Sequence, residues 1–375
     1  MMNNLSYDYL LDVYKIISCY ETIKRNTKHR EKIIKFEMFY SSNVTNILQL
    51  LKTRKYRHGR YTLFMINEPK ARIIMSESMS DKIINHMISS YILFPLINPK
   101  LIETNVATRP NKGTKAGIYY MKKYINKLKF KYDKIYILKC DISKFFYSID
   151  YEILINKMKK LISDNDLLNI IIEVISSTNY SYISDDIDKL IAKRKEEIVK
   201  LKISNNQKNA MINDLNRIPK YSNNKGLPIG NFSSQIFAIF YLNDLDHFIK
   251  EKLKIKYYIR YMDDFILIHQ DKDYLKYCYS EIEKKVSEVK LKINNKTQIC
   301  EIHDGVNFLG YKFKLINNRL YMLLNAKTKK RINRRLKNVP KSKASDFIKE
   351  RYNGYLSVGN TSGFVYSKSY YNDNS

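Results

Sequence analysis

The chain has 375 residues, enough to bury a sizeable core and to form two or three structural units. Its 67 Lys and Arg against 37 Asp and Glu leave a formal charge of +30, which points to a polyanionic partner and says little about fold. The most apolar stretch, Met87 to Asn98, is too short for a membrane span, Met1 to Leu5 lacks the charged start of a secretory signal, and four scattered cysteines form no Cys-x-x-Cys pair, so nucleic acid outranks a membrane as partner, no disulfide framework or zinc site is indicated, and a cytoplasmic location is the default.

Residues 3–56 read as helical, with Leu10, Leu11, Tyr14 and Ile17, then Val44, Ile47, Leu48 and Leu51, at helical spacing around a basic loop from Lys24 to Arg30. Alternation over Tyr61 to Met65 and Ala71 to Met75 predicts a hairpin turned by Glu68-Pro69-Lys70. A helix over 79–94 follows, stopped by Pro95 and Pro99. Arg109-Pro110-Asn111-Lys112-Gly113-Thr114 is a cationic turn of a kind that can hold phosphate oxygens, and it opens a helix over 114–129. Ile135 to Leu138 reads as a buried strand that delivers Asp141 to its C-terminal end. A carboxylate there is costly unless paired or metal-bound; the competing expectation is that Asp141 caps the short helix after it.

Residues 151–222 read as helical, including a hairpin whose first helix carries Ile187, Leu190, Ile191, Ile198 and Leu201 on one face. Ser204-Asn205-Asn206 breaks it before a second helix over 207–216. Gly226-Leu227-Pro228-Ile229-Gly230 is a loop whose glycines permit close backbone approach, ahead of a helix over 236–254; a plain helix start with a Ser N-cap is the alternative. From Tyr257 to Ile268, two aromatic and β-branched runs flank Asp263-Asp264, predicting a tight hairpin with both carboxylates at its tip. Such a turn favours Asn-Gly or Asp-Gly, so paired acids make sense there if divalent cations bind; a solvated turn is the plainer reading. A helix over 272–290, a hairpin over Val306 to Phe313 and a basic helical remainder follow, with a Ser/Asn/Tyr/Gly-rich tail beyond Tyr352.

If the strand ending at Asp141 and the hairpin of Asp263 are neighbours in one antiparallel sheet, their carboxylates converge. That is the requirement of two-metal phosphoryl transfer, with two Mg²⁺ (or Mn²⁺) about 4 Å apart. Such chemistry needs cations around the triphosphate, and Lys70, Arg72, Arg109 and Lys112 are available.

Taken in order, Asp141-x-x-x-Phe145-Phe146, Gly226-Leu227-Pro228-Ile229-Gly230-x-x-Ser233-Ser234-Gln235, Tyr261-x-Asp263-Asp264, Lys296-Thr297 and Phe308-Leu309-Gly310-Tyr311 resemble the palm motifs of reverse transcriptases. The resemblance implies an α+β right-hand polymerase, its palm an antiparallel sheet with helices on one face. The expected division is an N-terminal helical extension over 1–60, fingers over 61–135, palm over 136–150, fingers and helical insertion over 151–225, palm again over 226–315, and a small helical thumb with tail over 316–375. It implies RNA-directed DNA polymerase activity on an RNA template, a DNA or RNA primer and deoxynucleotide triphosphates. Asp141, Asp263 and Asp264 are then the metal carboxylates, with Asp264 in the more supporting place, and Lys296 a general acid toward pyrophosphate. Phe146 is the steric gate that excludes a 2′-hydroxyl, Ile229, Gly230 and Gln235 join the four cations around the nucleotide, and Phe308 to Tyr311 form the primer grip.

Within that group Glu68-Pro69-Lys70-x-Arg72, Arg109-Pro110-x-Lys112-Gly113-Thr114 and Ile229-Gly230-x-x-x-Ser234-Gln235 most resemble the bacterial and phage enzymes of diversity-generating retroelements. Most retroviral and intron enzymes have Gln where Ile229 stands and Pro where Gln235 stands. Loss of that hydrogen-bond anchor weakens discrimination by about 1–3 kcal/mol, so the resemblance implies error-prone copying opposite adenine. It also implies a noncoding or template RNA and a basic accessory protein as partners. The alternatives are a phage-defence reverse transcriptase working with a structured noncoding RNA, a non-catalytic RNA-binding scaffold, and an RNA-dependent RNA polymerase, against which the bulk of Phe146 argues.

Overall fold

The computed structural model describes residues 5–27, 30–66, 71–336, 339–340 and 346. The Glu68-Pro69-Lys70 turn, and with it the Lys70 site, and the tail beyond Tyr352 lie outside the described residues. The strands are β1 Thr62–Ile66, β2 Arg72–Ser76, β3 Tyr136–Asp141, β4 Tyr257–Tyr261, β5 Asp264–His269, β6 Gln298–Glu301, β7 Val306–Phe308, β8 Tyr311–Ile316 and β9 Arg319–Leu324. The fold mixes helices with antiparallel sheets: a β1–β2 hairpin, a four-stranded sheet in the order β4-β5-β3-β6, and a β7-β8-β9 meander. No described helix is long and apolar enough to cross a membrane.

The chain divides into two compact units. One draws on Met1–Ile102, Ile142–Asp244 and Val286–Lys292, the other on Glu103–Asp141, Leu245–Lys285 and Ile293–Ser375. In the first, the expected helical hairpin is present as Tyr182–Val199 and Asn205–Asn216, the second helix opened by a Ser204/Gln207 capping box. Ile183, Ile187, Ile198 and Leu215 from this hairpin share a core with Tyr61, Ile73 and Met75 around the β1–β2 hairpin. The insertion is therefore packed down by its apolar stripe.

The second unit holds the four-stranded sheet. β5 is buried at four consecutive positions, Phe265 to Ile268, the pattern of a strand covered on both faces. One face, carrying Ile137, Ile259, Ile266 and Ile268, joins Ile118, Met121, Ile125 and Leu128 of the helix Thr114–Leu128 in a single core. The spacing of those four helical residues puts them on one side, which is why this segment docks as a helix. Phe308, Tyr311, Phe313, Met322 and Leu324 of the meander close the same core.

Several boundaries differ from expectation. Pro95 does not stop the helix that begins at Met79: Met79–Met87 runs on through a π-turn, Ile88–Leu93, directly ahead of Pro95 and into Phe94–Ile97. The helix expected over 236–254 starts at Phe232, ends at Tyr241 and resumes as Asn243–His247. β6 and β9 fall outside the predicted strands: Gln298 to Glu301 is short, and Arg319 to Leu324 lies within the segment read as the start of the basic helical remainder, whose basic run begins only at Lys327.

Candidate active site

The site in the second unit begins from strand register. β3 and β5 run antiparallel with Asp141 directly opposite Asp264, and β4 pairs with β5 so that Tyr261 is also opposite Asp264. Residues facing one another across an antiparallel pair point to the same side of the sheet, so the two carboxylates stand side by side, an arrangement that costs free energy by like-charge repulsion. Asp263 occupies the two-residue turn with Met262 between β4 and β5. The expectation of both acids at the tip needs correcting here: Asp263 is in the turn, and Asp264 is already the first residue of β5. The strand pairing claims Asp264 because its backbone continues the ladder with Tyr261.

Asp141 is not a helix cap. The N-cap of the short helix Phe145–Ser148 is Lys144, in left-handed backbone at φ +50°. Instead, the Asn294 side-chain amide donates to Asp141 Oδ2 at 2.9 Å and the Asn294 backbone N–H donates to the Asp141 carbonyl at 2.7 Å. Asn294 Oδ1 in turn accepts the Lys296 N–H at 3.1 Å. Lys296 itself is exposed.

Lys139 donates to Asp264 Oδ2 at 3.1 Å and to the Asn307 carbonyl at 2.7 Å. Burial pushes the Asp264 carboxyl up to about 6; Lys139 opposes that rise, and the charges of Asp141 and Asp263 add to it. Asp264 Oδ1 is buried with no hydrogen-bond partner. An orphaned carboxylate oxygen beside a second carboxylate is a donor set that suits a hard, oxygen-seeking divalent ion. No group of three or more His, Cys, Asp or Glu among the described residues is already gathered as a metal cage.

The turn is braced from beneath. Met262 has φ +58°, a costly conformation for a residue with a bulky side chain. Arg260, fully buried, donates from Nη1 to the Met262 carbonyl at 2.9 Å. Its Nε and Nη2 grip the equally buried Asp246 at 2.7 and 2.6 Å, and Asp246 also accepts from Tyr258 Oη at 2.7 Å. Sequence reasoning missed Lys139, Asn294, Asp246 and Arg260. A charged residue inside an otherwise apolar strand was the available signal for Lys139 and Arg260; nothing marked Asn294 or Asp246.

Elsewhere in this unit Lys112 is ion-paired with Glu103, and its amine also donates to the Glu103 carbonyl at 2.9 Å. Arg109 is half-buried and donates to the Asn105 carbonyl at 3.0 Å; burial lowers its pKa. Phe308 and Tyr311 are buried and pair across a turn whose two residues, Leu309 and Gly310, both have positive φ (+49° and +88°). The rings belong to the core, leaving the Leu309-Gly310 turn as the part that reaches the surface.

The remaining expected residues lie in the first unit. Arg72 is exposed at the start of β2. Gly230 has φ +136°, and a Cβ on it would meet the Met75 carbonyl oxygen at 2.6 Å, so only glycine fits against β2 there. The neighbouring Ile229 carbonyl accepts the Met75 N–H at 2.9 Å. Leu227 N–H donates to the Phe146 carbonyl at 2.7 Å, and Gly226 N–H to the Ile149 carbonyl at 2.8 Å. These bonds bring Phe146, Ile229, Gly230 and the Arg72 strand into one assembly. Phe146 and Ile229 remain half-exposed, while Phe145 is core. Gln235 and Gly230 share a small cavity with His86 and Phe232. Asn231, not a serine, holds the N-cap position of the helix that carries Gln235, without a side-chain cap hydrogen bond; its amide donates to Tyr61 Oη at 2.8 Å.

Residues 66–313 match the family described as reverse transcriptase (RNA-dependent DNA polymerase). No curated protein matches the chain.

Proposed function

Because the chain belongs to the reverse transcriptase family, an RNA-directed DNA polymerase acting on RNA template, primer and nucleotides, we propose a specific chemistry for its second unit. Asp141, Asp263 and Asp264 hold two divalent ions, Mg²⁺ in the first instance. The observation that carries this reading is the register of Asp141 against Asp264, with an orphaned Asp264 oxygen at the meeting point. Reverse transcriptases generally use divalent metal ions; bound here, they would acidify the primer hydroxyl and neutralise charge on the phosphates. The chain's own part is positional. Asn294 orients Asp141, Lys139 offsets the Asp264 charge, and Arg260 fixes the turn that carries Asp263. Lys296, exposed two residues after Asn294, is suited to give a proton to pyrophosphate.

The same reading makes Phe146 the ring that selects deoxynucleotides and Ile229, Gly230 and Gln235 the neighbours of the nascent pair, with Arg72, Arg109, Lys112 and Lys70 toward the phosphates. Lys112 must first leave Glu103 to serve. It gives the right-hand division its boundaries as expected from sequence, with 61–135 and 151–225 as fingers, 136–150 and 226–315 as palm, and 316–375 as thumb. Ile229 supports a retroelement enzyme of the diversity-generating kind, since its aliphatic, half-exposed side chain offers no hydrogen bond to police the pair.

The test is deoxynucleotide incorporation on an RNA template with Mg²⁺. Asp263→Ala should abolish it; incorporation persisting at more than about a hundredth of the parent rate would remove Asp263 from the chemistry. Error spectra of the parent and Ile229→Gln on one template then test fidelity, and identical spectra would refute the role given to Ile229.

A further inference from the structure

Away from the carboxylates, the first unit contains an open cavity of about 390 Å³ walled by Lys144, Lys220, Lys225, Lys290, Lys292 and Tyr147, with no acidic residue in its lining. The amines come from three separate stretches of chain. Lys220 is neutralised by Asp188 at 2.7 Å and Lys290 by Asp150 at 2.9 Å. Lys144, Lys225 and Lys292 have no carboxylate within ion-pair distance among the described residues. Like charges converging on one concavity repel one another, and a concave, one-signed surface focuses field and concentrates counter-ions.

The stretches are tied together rather than loosely adjacent. Ser143 N–H donates to the Lys292 carbonyl at 2.8 Å, and Tyr151 N–H donates to the Asn224 carbonyl beside Lys225 at 3.0 Å. The Tyr147 ring rests on Tyr221 at 4.7 Å between centroids. Lys290, at φ +56°, closes the end of the helix Lys272–Glu288, with its N–H donating to the Ser287 carbonyl at 2.9 Å and the Leu291 N–H to the Val286 carbonyl at 3.1 Å, so its position is fixed by the helix end.

We infer that this cavity is a phosphate-binding site, sized for a short run of linked phosphate groups and distinct in residues from the carboxylate site of the second unit. The cavity volume is in the range of small-ligand sites, and lysine amines suit phosphate as point charges. A nucleoside triphosphate and the backbone of a single-stranded RNA both present this chemistry.

The experiment is calorimetric titration of the full chain with inorganic tripolyphosphate, without divalent metal or nucleic acid. The parent should bind, Asp263→Ala should bind equally, and Lys225→Ser/Lys292→Ser should bind at least tenfold more weakly with an unchanged melting temperature. Lys193→Ser/Lys195→Ser removes the same charge from the helical insertion and should leave binding intact. Competition by ATP or by a short RNA oligonucleotide identifies the natural source. Equal binding by the Lys225/Lys292 variant, or an equal loss in the Lys193/Lys195 variant, would overturn the site and leave only diffuse attraction to a basic protein.

Discussion

Removing the Asp246 carboxylate tests the brace beneath the turn that carries Asp263. In Asp246→Ala the Arg260 guanidinium, wholly buried, keeps its bond to the Met262 carbonyl and loses its bonds to its counter-charge, while Tyr258 Oη loses its acceptor. Breaking a buried pair by deleting one partner costs about 3–5 kcal/mol, because the remaining charge is uncompensated. Against the roughly 5–15 kcal/mol that holds a domain together, this is a large fraction. Urea unfolding should show it directly as a fall in midpoint. A second variant separates stability from catalysis. In Asp246→Leu/Arg260→Met both charges are gone and similar volume is kept, so most of the lost stability should return. The bond that holds the Met262 carbonyl does not return, so kcat for deoxynucleotide incorporation should stay at least tenfold below the parent. A loss under about 1 kcal/mol in Asp246→Ala, or full activity in the double variant, would refute the argument.

Burial lifts Asp264 to about 6, above its value in an unfolded chain, so the native state binds the extra proton and this group's contribution to stability falls as pH rises from about 4 to about 6. Metal-free Asp264→Asn should therefore gain stability over the parent by up to about 3 kcal/mol at pH 7 and by little at pH 4; a pH-independent difference in melting would contradict the shift. Gly230→Ala forces a Cβ against the Met75 carbonyl oxygen and a left-handed backbone, and should destabilise by about 1–3 kcal/mol in chemical denaturation. Phe146→Ala should admit ribonucleotides while keeping deoxynucleotide incorporation; continued exclusion of ribonucleotides would take the gate away from Phe146.

Local chemistry made much of this molecule legible from its sequence. Period-3.6 stripes located the helices Val13–Asn26 and Tyr40–Lys52 and the first helix of the insertion hairpin, and alternation located β1 and β2, because those patterns report which side of an element meets the core. The ordered motifs from Asp141 to Tyr311 announced the family, since they are carried by residue identity and spacing alone. What sequence could not settle was which backbone claims each residue. Asp264 belongs to β5 through its pair with Tyr261 in the local hairpin, but that it faces Asp141 depends on a ladder with a strand more than a hundred residues earlier in the chain. The partners Asn294, Lys139, Asp246 and Arg260 are set by the same long-range register, so no local pattern could name them as a group. β9 divides the two: Arg319 to Leu324 pairs with β8 across Asn317-Asn318, both at positive φ (+45° and +59°), a hairpin turn carried in the sequence itself, whereas the packing of its Met322 and Leu324 beside the helix Thr114–Leu128 is decided only by the tertiary structure.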